Sequence, residues 1–172
     1  MDLFELILNR RSVRKYTGES VSEAALNRIL AAGLLAPTGK NKKPCEFYLV
    51  RDKELLKELS AAKKAGGAML ADCDAAIAVL ADPEVSDTWI EDSSIALSYM
   101  QLMAAESGVG SCWCQMRLRS SAEGKDAEAN VRAVVDAPPR YRVVGVLALG
   151  IPAEQPKPRT ERDADFSKVF EL

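Results

Sequence analysis

Two stretches, AAIAVLA at 75–81 and VVGVLALG at 143–150, are apolar at every position apart from the glycines. Both fall far short of the ~18–20 apolar residues a membrane helix needs. A strand with one wet face alternates polar and apolar residues, so a continuous run marks a strand buried on both faces. The chain must therefore cover its sheet from two sides, and helices have to supply the cover.

The helical periodicity is there to do so. Helices are expected over 2–9, from Ser22 to a stop at Pro37, from an Asp52 cap toward Gly66 and Gly67, over 86–106 and over 123–136. The segment 86–106 is apolar on several sides, with Ile95 and Leu102 lying off the stripe of Trp89, Ala96, Met100 and Met103, so it needs cover on several sides. Gly108 suits its C-terminal cap. Strands are expected over 47–50, 74–80, 111–116 and 142–149. Interleaved helices and strands point to a two- or three-layer α/β-type sheet with right-handed crossovers. At 172 residues without an internal repeat or linker, the whole of 1–172 is expected to form a single domain. About twenty residues after Gly150, holding Pro152, Pro156 and Pro158, have no period and are too long for an idle loop. They must be disordered or lie on something else.

Chemistry is bounded by what is missing. There is no histidine, which removes imidazole-based triads and H-E-x-x-H zinc sites. Four cysteines in a chain with an ample core are not a disulfide scaffold, and Cys112-x-Cys114 lacks a matching pair, so no metal site is expected. Asp2 and Glu5 stand where a secretory signal carries bases. A cytoplasmic protein with reduced thiols is expected, not associated with a membrane.

The net charge of −2 conceals an uneven spread: residues 1–64 carry +5 and the remainder −7. Bases gather at Arg10, Arg11, Arg14 and Lys15, at Lys40, Lys42 and Lys43, and at Lys157 and Arg159. An acidic chain is a poor nucleic-acid binder, whereas short basic clusters suit a small anion. Gly33 to Lys40 fails as a P-loop, with five residues between its glycines and Asn41 in the hydroxyl position. Gly108-x-Gly110 fails as a dinucleotide fingerprint, because Trp113 takes the third glycine position. What remains is Arg10, Arg11, Ser12 and Arg14 near one end and Lys157 with Arg159 near the other. Guanidinium groups grip phosphate with paired hydrogen bonds, and a serine hydroxyl adds a neutral donor. Both clusters are expected to meet at one phosphate.

These residues, together with Ala36-Pro-Thr-Gly-Lys-Asn41 and Pro44, Gly108-Val-Gly-Ser-Cys-Trp113, and Leu149-Gly-Ile-Pro152, resemble the FMN-dependent nitroreductase family from about residue 3 to 160. The resemblance implies an α+β fold, a three-layer α/β/α sandwich with a mixed, mainly antiparallel sheet. It also implies a domain-swapped homodimer whose extended arm is 150–172. It assigns Arg10, Arg11, Ser12, Arg14, Lys157 and Arg159 to the FMN phosphate and ribityl chain. Pro37, Thr38, Gly39 and Asn41 are implied to reach the flavin from the other subunit, and Trp113, Cys114 and Gln115 to face its ring through backbone groups. Cys112 and Cys114 are expected to point to opposite faces of their strand, so that only one of them approaches that ring.

The implied activity is reduction of FMN by NADH or NADPH, followed in a ping-pong cycle by reduction of a nitroaromatic, quinone or similar flat small-molecule acceptor. Flavin carries the hydride chemistry itself, so no catalytic side chain is assigned; Arg14 or Lys43 is expected to supply a cation beside the ring. The chain departs from the family at Lys43 and Cys45, where glutamine and an aromatic are usual, and at Gln115, where glycine is common. These departures bear on the acceptor pocket more than on the cofactor. They also leave a second reading, an FMN-binding protein with a sensing or storage role and no turnover.

Overall fold

The computed structural model describes residues 2–172. Its elements run α1 (Leu3–Asn9), α2 (Glu23–Leu34), β1 (Cys45–Val50), α3 (Lys53–Ala61), α4 (Met69–Asp72), β2 (Ala75–Ala81), α5 (Trp89–Glu106), β3 (Gly110–Gln115), α6 (Ala127–Val134) and β4 (Arg142–Gly150).

Local chemistry sets most boundaries. Asp2 caps α1 by accepting from Glu5 N at 2.8 Å, and the Glu5 carboxylate accepts from Asp2 N in return. Ser22 caps α2 by accepting from Ala25 N, and Asp52 caps α3 by accepting from Glu54 N and Leu55 N. Gly108, at φ +71, ends α5 in the left-handed conformation. The last helix is shorter than its expected span of 123–136. Gly124 turns at φ +81 and Asp126 is the cap, so only residues from Ala127 onward are helical. The single turn α4, following Gly66 and Gly67, has no periodic signal in the sequence.

The strands form one sheet in the order β1-β2-β4-β3, and every neighbouring pair is antiparallel. Right-handed crossovers between parallel strands, expected from the interleaving, are therefore absent from the strands described. A continuous apolar run reports burial of both faces and carries no information on strand direction. The one parallel contact among the described residues is the isolated bridge of Ser12 to Ser111, which sits on the outer edge of β3.

Both faces are covered. Ala75, Ile77 and Val79 pack with Leu26 and Ile29 of α2 and Leu97 and Met100 of α5, whereas Ala76, Ala78 and Leu80 pack with Leu56, Leu70 and Val131 from α3, α4 and α6. This is the three-layer arrangement. A bulge between Val79 and Leu80 shifts the register against β4, so that Val143 faces the α3 side while Val144 faces α5. No helix among the described residues is long and apolar enough to cross a membrane.

Several large apolar side chains have no cover within the chain. Leu3, Phe4 and Ile7 on α1, Ile95 and Tyr99 on α5, and Phe166 and Phe170 beyond residue 160 are all exposed.

Candidate functional site

The N-terminal segment after α1 is held against the start of β3 and against the chain leaving β4. Val13 N donates to Ser111 O at 2.9 Å, Ala153 N to Lys15 O at 2.9 Å, and Arg159 N to Leu8 O at 2.9 Å. The Arg11 guanidinium donates to Lys157 O, and Arg14 N donates to a Glu154 carboxylate oxygen at 3.0 Å. These ties bring the two ends of the chain together.

They create a hollow of about 360 Å³ lined by Arg10, Arg11, Ser12, Arg14, Arg159 and Glu154, with Pro156 at its side. Arg10 is held below the ordinary guanidinium value, first by burial and then by the charges of Arg159 and Arg11. Four guanidinium groups against one carboxylate make a local excess of positive charge that an anion would relieve. Ser12 lines the same hollow, near the Cys112 thiol. Lys157 lies apart from this set, in an adjoining hollow with Arg11 and Arg159. Glu154 has no counterpart in the sequence reading, since an acid is not expected among anion ligands. Its role here is to fix the backbone at Arg14.

Beside the hollow opens a larger cleft of about 480 Å³, walled in part by Val13, Gly110 and Ser111 and by Ala105 and Gly108 at the C-terminal end of α5. Gly110 has no room for a side chain, as a Cβ would stand 2.9 Å from Val13 Cγ1. β3 runs away from this cleft, and beyond Ser111 no strand pairs with its outer edge among the described residues.

The side chains of Trp113, Cys114 and Gln115 are already engaged. Trp113 packs toward the α5 side and donates to the Gln115 side-chain oxygen at 3.0 Å. Cys114 is buried on the opposite face, its Sγ donating to Gly66 O at 3.2 Å. Cys112 shares that face, because residues two apart on a strand point the same way. The expected divergence of the two cysteines is thus overturned. Burial pushes both thiols above their ordinary value. What β3 leaves available is backbone along its open edge. One cation missed by the sequence reading reaches that edge: Lys63 donates from Nζ to Gln115 O at 3.0 Å.

Pro37, Thr38, Gly39 and Asn41 lie elsewhere. Gly39 N donates to Asp92 Oδ1 at 2.8 Å, and Thr38 Oγ1 accepts from Lys43 N at 3.0 Å. Lys40, Asn41 and Lys43 all have φ near +50, a left-handed conformation that costs a non-glycine residue on the order of 1 kcal/mol or more. This strained loop sits at the N-terminal end of α5, and the cleft lies at its C-terminal end. Eighteen residues of helix separate them by about 27 Å. Within one chain the loop and the arginine hollow do not form one site.

The family model described as the Nitroreductase family matches residues 7–72 and 61–151, most of the chain. The chain belongs to the nitroreductase family. The FMN-dependent nitroreductase of Clostridium difficile R20291 has the same fold, with 40% sequence identity and a TM-score of 0.95 over 98% of each chain. A nitroreductase from Desulfovibrio desulfuricans, provisionally so named and solved in complex with FMN, is 25% identical, with a TM-score of 0.78 over 99% of each chain. Among sequence relatives, an Archaeoglobus fulgidus protein provisionally named NADH dehydrogenase/NAD(P)H nitroreductase is 34% identical over 158 residues, 90% of this chain and 87% of its own length.

Proposed function

We propose that this chain is an FMN-dependent oxidoreductase that draws reducing equivalents from NADH or NADPH and delivers them to a flat acceptor such as a nitroaromatic or a quinone. The observation that carries this reading is the convergence of Arg10, Arg11, Ser12, Arg14 and Arg159 on one hollow at the head of β3. The names of its relatives, which include an FMN-dependent nitroreductase and an NAD(P)H nitroreductase, support it.

The residues fit a phosphate monoester. A dianion in the hollow relieves the mutual repulsion of Arg10, Arg11 and Arg159, and each charge-assisted hydrogen bond contributes roughly 1.5–3 kcal/mol. Lys157, one hollow away, stands close enough in sequence and space to add long-range attraction. When bound, FMN supplies the two-electron carrier, and the protein supplies position and electrostatics. The open edge of β3 from Trp113 to Gln115 offers backbone groups to the ring, and Lys63 or Arg14 offers the positive charge that favours its reduced form. In this reading donor and acceptor would use the bound cofactor in turn, which is a ping-pong cycle.

The active unit in this reading is a homodimer. Pro37, Thr38, Gly39 and Asn41, together with Lys43, stand at the N-terminal end of α5, a helix about 27 Å long whose other end borders the cleft beside the hollow, and in this reading a second copy brings them to it. The exposed faces of α1 and α5 and the apolar residues of the arm 150–172, above all Phe166 and Phe170, are the surfaces such a partner covers. Four free cysteines agree with a reducing, cytoplasmic setting.

The test is the absorbance spectrum of the purified protein, supplemented with FMN, before and after NADH or NADPH is added without oxygen, and then after addition of a quinone. Bleaching by the donor and recovery with the acceptor are expected. Bleaching without recovery by any acceptor favours a sensing or storage role, consistent with Lys43, Cys45 and Gln115 narrowing the acceptor pocket.

A further inference from the structure

A second group of cations lies at the far end of β3 from the arginine hollow. Lys63, Lys64 and Arg119 line a surface hollow of about 320 Å³ with Ala65, Leu118 and Ser120. The backbone closes it on one side, where Lys64 N donates to Ser120 O at 2.8 Å. Its lining includes no carboxylate, and none of the three cations forms an ion pair with an acid among the described residues. The nearest acid in the following turn, Glu123, is already paired to Lys125 at 3.0 Å. The Arg119 guanidinium donates to the carbonyl of its neighbour Leu118, at 2.9 Å.

Leu118 makes the hollow unusual. It is 72% exposed and held at φ +59, a conformation that a leucine adopts only at a cost. The result is an apolar surface displayed to solvent beside three unpaired cations and a serine. Such a set suits a ligand that carries both a phosphate and a flat ring.

In a chain of net charge −2, cations without an ion-paired acid thus stand at both poles of β3, separated by its six residues, about 17 Å. The first pole suits the cofactor phosphate. The reaction proposed above needs one other phosphorylated molecule, the dinucleotide donor, and the second pole has no other assignment. Lys63 connects the pole to the site, because the same side chain that walls the hollow bonds Gln115 O on the open edge.

We propose that the hollow of Lys64, Arg119 and Leu118 holds a phosphate of the nicotinamide dinucleotide donor, with Leu118 beneath its adenosine end. This assignment rests on the flavoenzyme reading. Both Lys64 and Arg119 lie outside the cofactor hollow.

The experiment uses the FMN-loaded protein and the double variant Lys64→Ala/Arg119→Ala. We expect the KM for the donor to rise about tenfold, with kcat, bound FMN and the KM for a quinone acceptor unchanged. A rise for NADPH alone assigns the hollow to the 2′-phosphate; a rise for NADPH and NADH alike assigns it to the pyrophosphate. Unchanged KM values for both donors overturn the proposal. A second readout is free of turnover: calorimetric titration of 2′,5′-ADP, whose binding should weaken in the variant and with added salt. Equal binding by wild type and variant overturns the assignment as well. Failure to retain FMN sinks the flavoenzyme reading instead, and the titration still reports on the hollow.

Discussion

Gly39 donates its backbone N–H to Oδ1 of Asp92 at 2.8 Å, tying the strained 38–43 loop to the first turn of α5. Asp92 is 2% exposed, and its other oxygen accepts from Ser86 Oγ at 2.9 Å and Thr88 Oγ1 at 3.2 Å. Three donors on one buried carboxylate offset its desolvation and fix the direction of the loop. The loop carries Thr38, Asn41 and Lys43, so this latch sets what a second copy would present to the cofactor.

The latch makes a two-step prediction. A Cβ on Gly39 would stand 2.2 Å from Thr88 Oγ1, but 3.4 Å from Thr88 Cβ. Gly39→Ala should therefore destabilise the protein by roughly 1–3 kcal/mol, as overpacking does. Gly39→Ala/Thr88→Ala should recover much of that loss, since only the hydroxyl is in the way. Thermal unfolding of the two variants and the Thr88→Ala control, read as a double-mutant cycle, checks the coupling.

Arg10→Ala should leave the fold intact and weaken FMN binding by about tenfold or more, the equivalent of one charge-assisted hydrogen bond. Lys157→Ala should cost less, because Lys157 lines the adjoining hollow and not the one that holds Ser12. Quenching of flavin fluorescence on titration distinguishes the two.

Glu128 is buried at 1% exposure and accepts from Arg142 through both carboxylate oxygens at 2.8 Å and from Val143 N at 3.0 Å. Burial acts to raise its carboxyl, but the Arg142 and Val143 hydrogen bonds outweigh it and hold the group below its ordinary value. A lowered native value means that this contribution is fully present above the unfolded carboxylate range, near pH 4.3, and is lost as pH falls through the native value. Glu128→Gln should cost about 2–3 kcal/mol at neutral pH, where it leaves Arg142 without its charged partner. The cost should shrink in acid. Urea denaturation at pH 7 and pH 3 measures both.

Removing the arm beyond Thr160 should weaken self-association and lower FMN affinity together, with the monomer still folded. Nothing beyond Thr160 belongs to either buried cluster. Sedimentation velocity with and without FMN reads the association. A truncated protein that remains a dimer with unchanged FMN affinity would count against the arm as a partner-covering segment.

Much of this architecture is written in the apolar pattern. The runs at 75–81 and 143–150 are interior strands with helices on both faces, and the all-round apolar helix is α5, buried on its sheet side and bare at Ile95 and Tyr99. Strand direction was not legible, because a run buried on both faces looks the same in parallel and antiparallel sheets. The arginine cluster could be read from charge spacing, and Lys157 and Arg159 were separable only once the arm's path was known. Glu154, Lys63 and Asp92 were invisible to that reading. Each acts through a backbone group of a residue far away in sequence, and backbone groups leave no compositional mark.

The central claim is that the hollow at the head of β3 binds FMN for electron transfer. It is tested most directly by anaerobic titration of the FMN-loaded protein with NADPH and NADH, followed through the visible flavin band, for wild type and Arg10→Ala. The account predicts stoichiometric bleaching in the wild type, and in the variant bleaching that falls in proportion to the flavin lost on dilution. A wild-type protein that remains colourless after incubation with FMN, or a flavin band that neither donor bleaches, would contradict it.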